Sequence, residues 1–369
     1  MRCAACAKDS VASEIPFSTA TIDGATIRVK FLNKGKDRDV SEAWLRFLPS
    51  HSPQLGRCHF IFDRDCRKYD WLVVYDDLPS VGQERFTRWE EVLACPRSQT
   101  LLITTEPSCI KTYGKGFLRQ FEWVLTSQEP WVIRHPGAIY SQTGLIWFYD
   151  GEYNNVQHHP PAAKTSVIST VCSSKQQKHT LHHARYEFTQ KLKAVLPELD
   201  IFGHGVRFIP NKNEALDPYY YHVSIENHVC RHHWTEKLAD SYLGMCLPFY
   251  HGCPNVADYF PEDSYIPIDI HRFKESAERI TKAIKDNEYA RRLPALREAR
   301  RLVLERYSTF PQLVRLIEER TPFPLPSVIP GANHGSILSR HAWRHHSIFN
   351  GLSFVLEKTT VRLRHACGA

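Results

Sequence analysis

Short runs of β-branched and aromatic residues recur along the chain, each followed by a polar connection and usually by a longer stretch with apolar residues at helical spacing. Runs of this kind read as buried strands, and a period near 3.6 reads as a helix packed along one face. The strand readings are TIRVKFL (26–32), CHFIFD (58–63), DWLVVYDD (70–77), TLLITTE (100–106), EWVLTS (122–127), TSVISTV (165–171), YYYHVSIEN (219–227), LPFYHG (247–252) and SYIPID (264–269). Helical spacing covers 40–48, 114–121, 181–195, 235–245, 271–286, 288–304 and 310–319. Strands alternating with helices predict an α/β fold on mostly parallel sheets.

Two stretches interrupt the pattern: GEYNNVQHHPPAAK, with its Pro pair, and the Pro-rich TPFPLPSVIPGANHG at 321–335. At 369 residues the chain exceeds the roughly 250–300 residues at which single cores stop growing. Two α/β domains, 1–155 and 160–322, with a C-terminal extension over 323–369, account for both facts, and a ligand is expected in the cleft between the domains. No internal repeat is visible, which excludes solenoids and propellers.

Hydrophobic residues at 42% and charged residues at 24% are an ordinary globular balance, so disorder is not the general state. The net charge of +7 is spread along the chain without an RRM, KH or zinc-finger pattern. Nucleic acid is therefore not the expected partner, and an anionic small ligand accounts for the charge at lower cost. The start, MRCAACAKDS, has no apolar core after a basic segment, and no run approaches the ~18 apolar residues of a membrane span, so a cytoplasmic protein is expected. Eleven cysteines, with Cys3 and Cys6 as a lone CxxC, read as reduced thiols.

The chemistry concentrates in HHWTEKLADSYLGMCLPFYHG. If LADSYL begins a helix, Thr235 is a good N-cap and Glu236 suits the positive end of the helix dipole, whereas Lys237 sits where a cation is disfavoured. Two readings are open: a solvated Glu–Lys pair, or an anion at the helix start that accepts from the first-turn amides and Lys237 together.

In order along the chain stand IEN (225–227), TEK (235–237), LPFYHG (247–252), PNVADYFP (254–261) and DSYIPI (263–268). This series over about 50 residues resembles the donor-binding segment of the α-1,3-fucosyltransferases of glycosyltransferase family 10. The resemblance extends upstream to TSVISTVCSSK and HHARYEFTQKL, where Arg185 matches the family's helix-borne Arg, and to LLITTEPS, where Glu106 matches a Glu at a strand end.

What the resemblance implies is a GT-B fold, two Rossmann-like domains facing across a cleft, with acceptor on the first domain and nucleotide sugar on the second. An acceptor hydroxyl of a glycan, in a surface polysaccharide or lipopolysaccharide, would attack GDP-β-L-fucose with inversion and give an α-1,3-type linkage. Glu106 would be the general base. Arg185 and Lys237, together with Ser173, Ser174 and Lys175, would hold the diphosphate, and Glu226, Asn227, His233 and Glu236 the fucose and ribose hydroxyls. Lys237 is expected to matter for donor binding and little for folding. For Arg185 a surface position, and for Glu106 a loop carboxylate, are the competing readings. The family often has a Tyr where His233-Trp234 stands here, so another nucleotide sugar, or a non-catalytic glycan- or nucleic-acid-binding protein of the same fold, remains an alternative.

No cofactor is expected, and a divalent metal is at most stimulatory. Asp63-Arg64-Asp65 reads as a surface turn, HVCRHH (228–233) fits no common zinc spacing, and HAWRH (341–345) lacks the Glu of HExxH. The basic EKTTVRLRH (357–365) reads as a solvated tail, with weak contact to an anionic membrane surface, at the periphery of the inner membrane, as the alternative.

Overall fold

The structure, a computed structural model, describes residues 25–80, 86–144, 146, 149, 151–161, 163–174, 180–322 and 334–367. Lys175, Cys3 and Cys6 lie outside the described residues.

The first domain runs through β1 (Ile27–Asn33), α1 (Ser41–Leu45), β2 (Gln54–Leu55), β3 (Cys58–Ile61), β4 (Trp71–Tyr75), β5 (Glu90–Val92), β6 (Thr100–Ile103), α2 (Lys115–Leu118), β7 (Trp123–Thr126) and β8 (Ala138–Tyr140). Its main sheet has the order β2-β3-β1-β4-β6-β7-β8, parallel throughout except for the β2–β3 pair. The central strands are apolar on both faces because helices and loops cover both, which is why they read as continuous runs and not as alternations.

The second domain comprises α3 (Tyr153–His158), β9 (Ser166–Val171), α4 (His182–Val195), β10 (Leu199–Phe202), β11 (Tyr219–Ile225), α5 (Glu236–Leu243), β12 (Leu247–His251), β13 (Ile266–Pro267), α6 (Phe273–Lys285) and α7 (Glu288–Leu302). Its sheet, β10-β9-β11-β12-β13, is wholly parallel. Residues at the carboxyl ends of the two sheets, Glu106 after β6 and Asn227 after β11, line one cavity, so the sheets face each other across a cleft in the GT-B manner.

Two expectations need correction. The second domain does not keep everything to residue 322: α8 (Thr309–Arg320) returns to the first, where Phe310, Leu313, Val314 and Ile317 are buried with Ile27, Phe31, Phe60 and Trp71. Phe310 meets Phe60 edge-on with centroids 4.9 Å apart, and Trp71 Nε1 donates to Thr321 Oγ1 at 2.9 Å. The extension is likewise structured, as β14 (Ser336–Leu338), α9 (Arg340–His346) and α10 (Ile348–Ala366), with β14 antiparallel to β5. The stretch 357–365 is helical and largely solvent-facing: Val361 is buried, Thr359, Thr360, Arg362, Leu363 and Arg364 are exposed, and so are Ile348, Phe349, Leu352 and Leu356 earlier in the helix. None of the described helices is long and apolar enough to cross a membrane.

Candidate functional site

β11 ends at Ile225, and the next residue, Glu226, is fully buried. Its Oε1 accepts from the Thr235 amide at 2.8 Å and its Oε2 from the Thr235 hydroxyl at 2.6 Å, which fixes the start of α5 against the end of the strand. Thr235 is the N-cap: it is extended, and its Oγ1 accepts from the Lys237 amide at 3.4 Å. Gly252 of the LPFYHG run is required here, since a Cβ would stand 2.5 Å from Glu226 Cγ.

Lys237 Nζ sits among acceptors, 2.8 Å from Glu236 Oε1, 3.1 Å from Thr235 Oγ1 and 3.5 Å from Glu226 Oε2. The Glu–Lys pair foreseen from sequence therefore forms, but in a cleft, with each side chain 21% exposed. Burial opposes the Glu236 charge, yet the fields of Lys237 and Lys212 hold its carboxyl far below the usual range. Burial raises Glu226 despite the nearby ammonium. Burial likewise works against the Lys237 charge, but Glu236 and Glu226 outweigh it and raise its pKa. Lys237 is the cation beside a fully buried carboxylate.

Arg185 comes from the first turn of α4 and is 7% exposed. Its Nη1 donates to Asn227 Oδ1 at 2.9 Å, while its Nε is buried without a hydrogen-bond partner among the described residues. The surface reading of Arg185 is thereby excluded. Arg185, Asn227, Ser173, Glu236 and Lys237 line one cavity of about 260 Å³ at the ends of β9 and β11. Gly203 (φ +134°) belongs to its wall, and a Cβ there would press on the Cys172 backbone at 2.9 Å. Ser174 is exposed and does not line this cavity.

An adjoining cavity of about 380 Å³ brings in the first domain: Glu106, Thr105 and Tyr75 face Asn227, His233, Glu236 and Lys237 across it. The Glu106 carboxylate is exposed and makes no hydrogen bond to another described residue. Partial burial, and then Asp76, push it up, which makes it a stronger base than an ordinary carboxylate. His233 is buried beside Ser127 Oγ at 3.2 Å, and burial followed by the charge of His228 brings its imidazole down to about 3, so it is neutral. Trp234, next to it, points away into the aromatic cluster of Tyr259, Phe260 and Tyr307.

Sequence reasoning missed a supporting network beneath Glu106. Asp76, in the left-handed region at φ 75°, accepts from Tyr113 at 2.6 Å, Thr105 at 3.0 Å and Lys111. A carboxylate at a strand's carboxyl end was the available signal, the same one that marked Glu106. His182, which lines both cavities, had none. Asp63-Arg64-Asp65 is the surface turn expected, with Asp65 N donating to Asp63 Oδ1 at 2.9 Å and Arg38 paired to both carboxylates.

Two parallel-sheet α/β domains, with buried cations and a carboxylate meeting at the carboxyl ends of their strands, define a GT-B architecture. Residues 161–298 match the model of the family described as "Glycosyltransferase family 10 (fucosyltransferase) C-term". The chain is 36% identical over 78 residues to the alpha-(1,3)-fucosyltransferase FucT of Helicobacter pylori, a match spanning 21% of this chain and only 15% of that relative. Among solved structures, a crystal structure of an alpha1,3-fucosyltransferase is 17% identical with a TM-score of 0.48, covering 76% of this chain and 84% of that one. An alpha1,3-fucosyltransferase with GDP is 16% identical with a TM-score of 0.47, covering 80% and 96%.

Proposed function

We propose that this protein is an inverting glycosyltransferase that moves L-fucose from GDP-β-L-fucose to a hydroxyl of a glycan acceptor, in an α-1,3-type linkage within a surface polysaccharide or lipopolysaccharide. The observation that carries the reading is the pair of cations at one cavity. Arg185 is buried without a carboxylate partner among the described residues, and its charge repels that of Lys237. An anion between them removes that repulsion, and the diphosphate of a nucleotide sugar supplies it.

In this reading Arg185, Lys237 and Ser173 neutralise the diphosphate as it departs, and the sugar gains oxocarbenium character. Glu236 and Asn227 hold ribose and fucose hydroxyls, and neutral His233 offers a hydrogen bond from the cleft wall. In this reading Glu226, which accepts from the Thr235 amide and hydroxyl, holds the start of α5 in place beneath the donor-binding side chains. Glu106, across the cleft, takes the proton of the attacking hydroxyl, a contribution of roughly 10²–10⁴-fold. None of these steps calls on a cofactor, and a divalent ion would at most help the diphosphate leave.

A donor-hydrolysis screen over GDP- and UDP-sugars tests the proposal. GDP-fucose is expected to be turned over fastest, with loss of that turnover in Arg185→Ala. Faster turnover of a UDP-sugar refutes the fucosyl assignment and leaves a transferase of another donor, and no turnover of any donor favours a binding protein of the same fold.

A further inference from the structure

A second cluster bridges the domains at the rim of the same cleft, and the proposed transfer reaction does not use it. Glu129 follows β7 in the first domain, while His228 and Cys230 follow β11 in the second. One carboxylate oxygen, one imidazole nitrogen and the thiol sulfur of these residues lie within 4.8 Å of one another. His228 Nε2 is 3.1 Å from Glu129 Oε1, close to the ~3.3 Å edge between oxygen and nitrogen ligands of a tetrahedral zinc ion.

The surroundings are those of a metal site's outer contacts. The other ring nitrogen, Nδ1, is 3.4 Å from Cys109 Sγ, a contact that fixes ring orientation. The second oxygen of Glu129 accepts from Ser108 Oγ at 2.5 Å, and Ser108 in turn meets His365 Nε2 of α10 at 2.8 Å. Cys230 is 8% exposed, and the Glu129 and His228 side chains are 18% and 14% exposed, so the group is shielded while leaving a path for an ion. A carboxylate, an imidazole and a thiol together are the donor set of zinc and its neighbours, and not of magnesium or calcium.

We infer that Glu129, His228 and Cys230 bind one divalent transition-metal ion of the zinc class, which fastens the two domains at the cleft rim. Binding displaces both the proton of the Cys230 thiol and the proton that His228 Nε2 shares with Glu129, which leaves a thiolate and a neutral imidazole on the metal, with water in the fourth position. The spacing within HVCRHH gave no zinc pattern because Glu129 lies 99 residues from His228 in the chain.

The test uses the full chain without a histidine tag, stripped with chelator and dialysed against zinc or cobalt alone. Wild type is expected to retain one zinc per chain and, with cobalt, to display a thiolate-to-metal charge-transfer band. Cys230→Ser and His228→Asn should lose the ion. Cys109→Ser should keep the stoichiometry with an affinity lowered roughly 10–100-fold. His271→Ala serves as control, because His251, Asp269 and His271 form the other grouping of ligand types among the described residues. Zinc absent from wild type, retained by Cys230→Ser, or lost in His271→Ala overturns the inference. So does bound cobalt without the charge-transfer band, a result that does not depend on any variant folding.

Discussion

Replacing Lys237 by Ala separates two tasks that one side chain performs. Its Nζ lies 3.5 Å from Oε2 of the fully buried Glu226, an attraction of about 5 kcal/mol at an effective dielectric near 20. Not all of that is lost on removal, because the desolvation cost of the lysine disappears too. Glu226 also has an escape: it can take up a proton. From an ordinary value of 4.5, protonation at pH 7 costs about 3.4 kcal/mol, and this caps the loss. At pH 6 the same cap is about 2 kcal/mol. Lys237→Ala should therefore unfold in urea with a stability lower by about 1 to 3 kcal/mol at pH 7, and by less at pH 6. Adding Glu226→Gln should return part of the stability, since the amide needs no counter-charge although its NH2 no longer accepts from the Thr235 hydroxyl. Turnover of the double variant should nonetheless stay down by about 10²–10³, the usual effect of losing one group that stabilises a departing charge. A stability loss that is absent, or that does not shrink at pH 6, or that Glu226→Gln fails to relieve, would refute this electrostatic account of the helix start.

Three further outcomes follow from named contacts. Glu106→Gln should lower kcat by roughly 10²–10⁴ with little change in melting temperature, because the exposed carboxylate makes no hydrogen bond within the described protein. His222 is buried against Ser169 Oγ at 2.8 Å, and burial brings its pKa from 6.5 down to about 3. Between those values the unfolded chain binds more protons, so stability should fall as pH falls, by about 2 kcal/mol at pH 5 from this group, and His222→Gln should flatten the slope in urea titrations. Phe310→Ala should cost about 3–5 kcal/mol and be read as an early-unfolding first domain in calorimetry, since the ring is fully buried among Phe31, Trp44, Phe60 and Phe62.

The central strands were legible because they are buried on both faces and read as apolar runs, whereas the short β2, β5, β8, β10 and β14, partly exposed, were not, and α5 was legible because Thr235 caps it as its sequence demands. Their order along the chain then predicted two parallel sheets. SYIPID yielded only two residues of strand, Ile266–Pro267, at the sheet's edge, where fewer backbone groups pair. The return of α8 was not legible, since helical spacing reports that a face is buried but not against which domain. The same limit hid the structured tail, whose last helix has contacts with residues such as Trp131 and Ser108 more than 200 positions earlier. At the site, Glu236 and Lys237 could be found because they sit at a helix start, where local rules apply, whereas Arg185 was marked only by the family resemblance. The Asp76–Lys111–Tyr113 network and the Glu129–His228–Cys230 group are assembled by tertiary contacts, and no local spacing marks them.

Isothermal titration of GDP and UDP into wild type and Arg185→Ala tests the central claim most directly, because it asks whether the two cations at the end of β11 serve a nucleoside diphosphate. The account predicts that wild type binds GDP more tightly than UDP and that Arg185→Ala loses at least tenfold in affinity, about 1.4 kcal/mol. Failure of wild type to bind GDP at millimolar concentration, or equal binding by the two proteins, would contradict it.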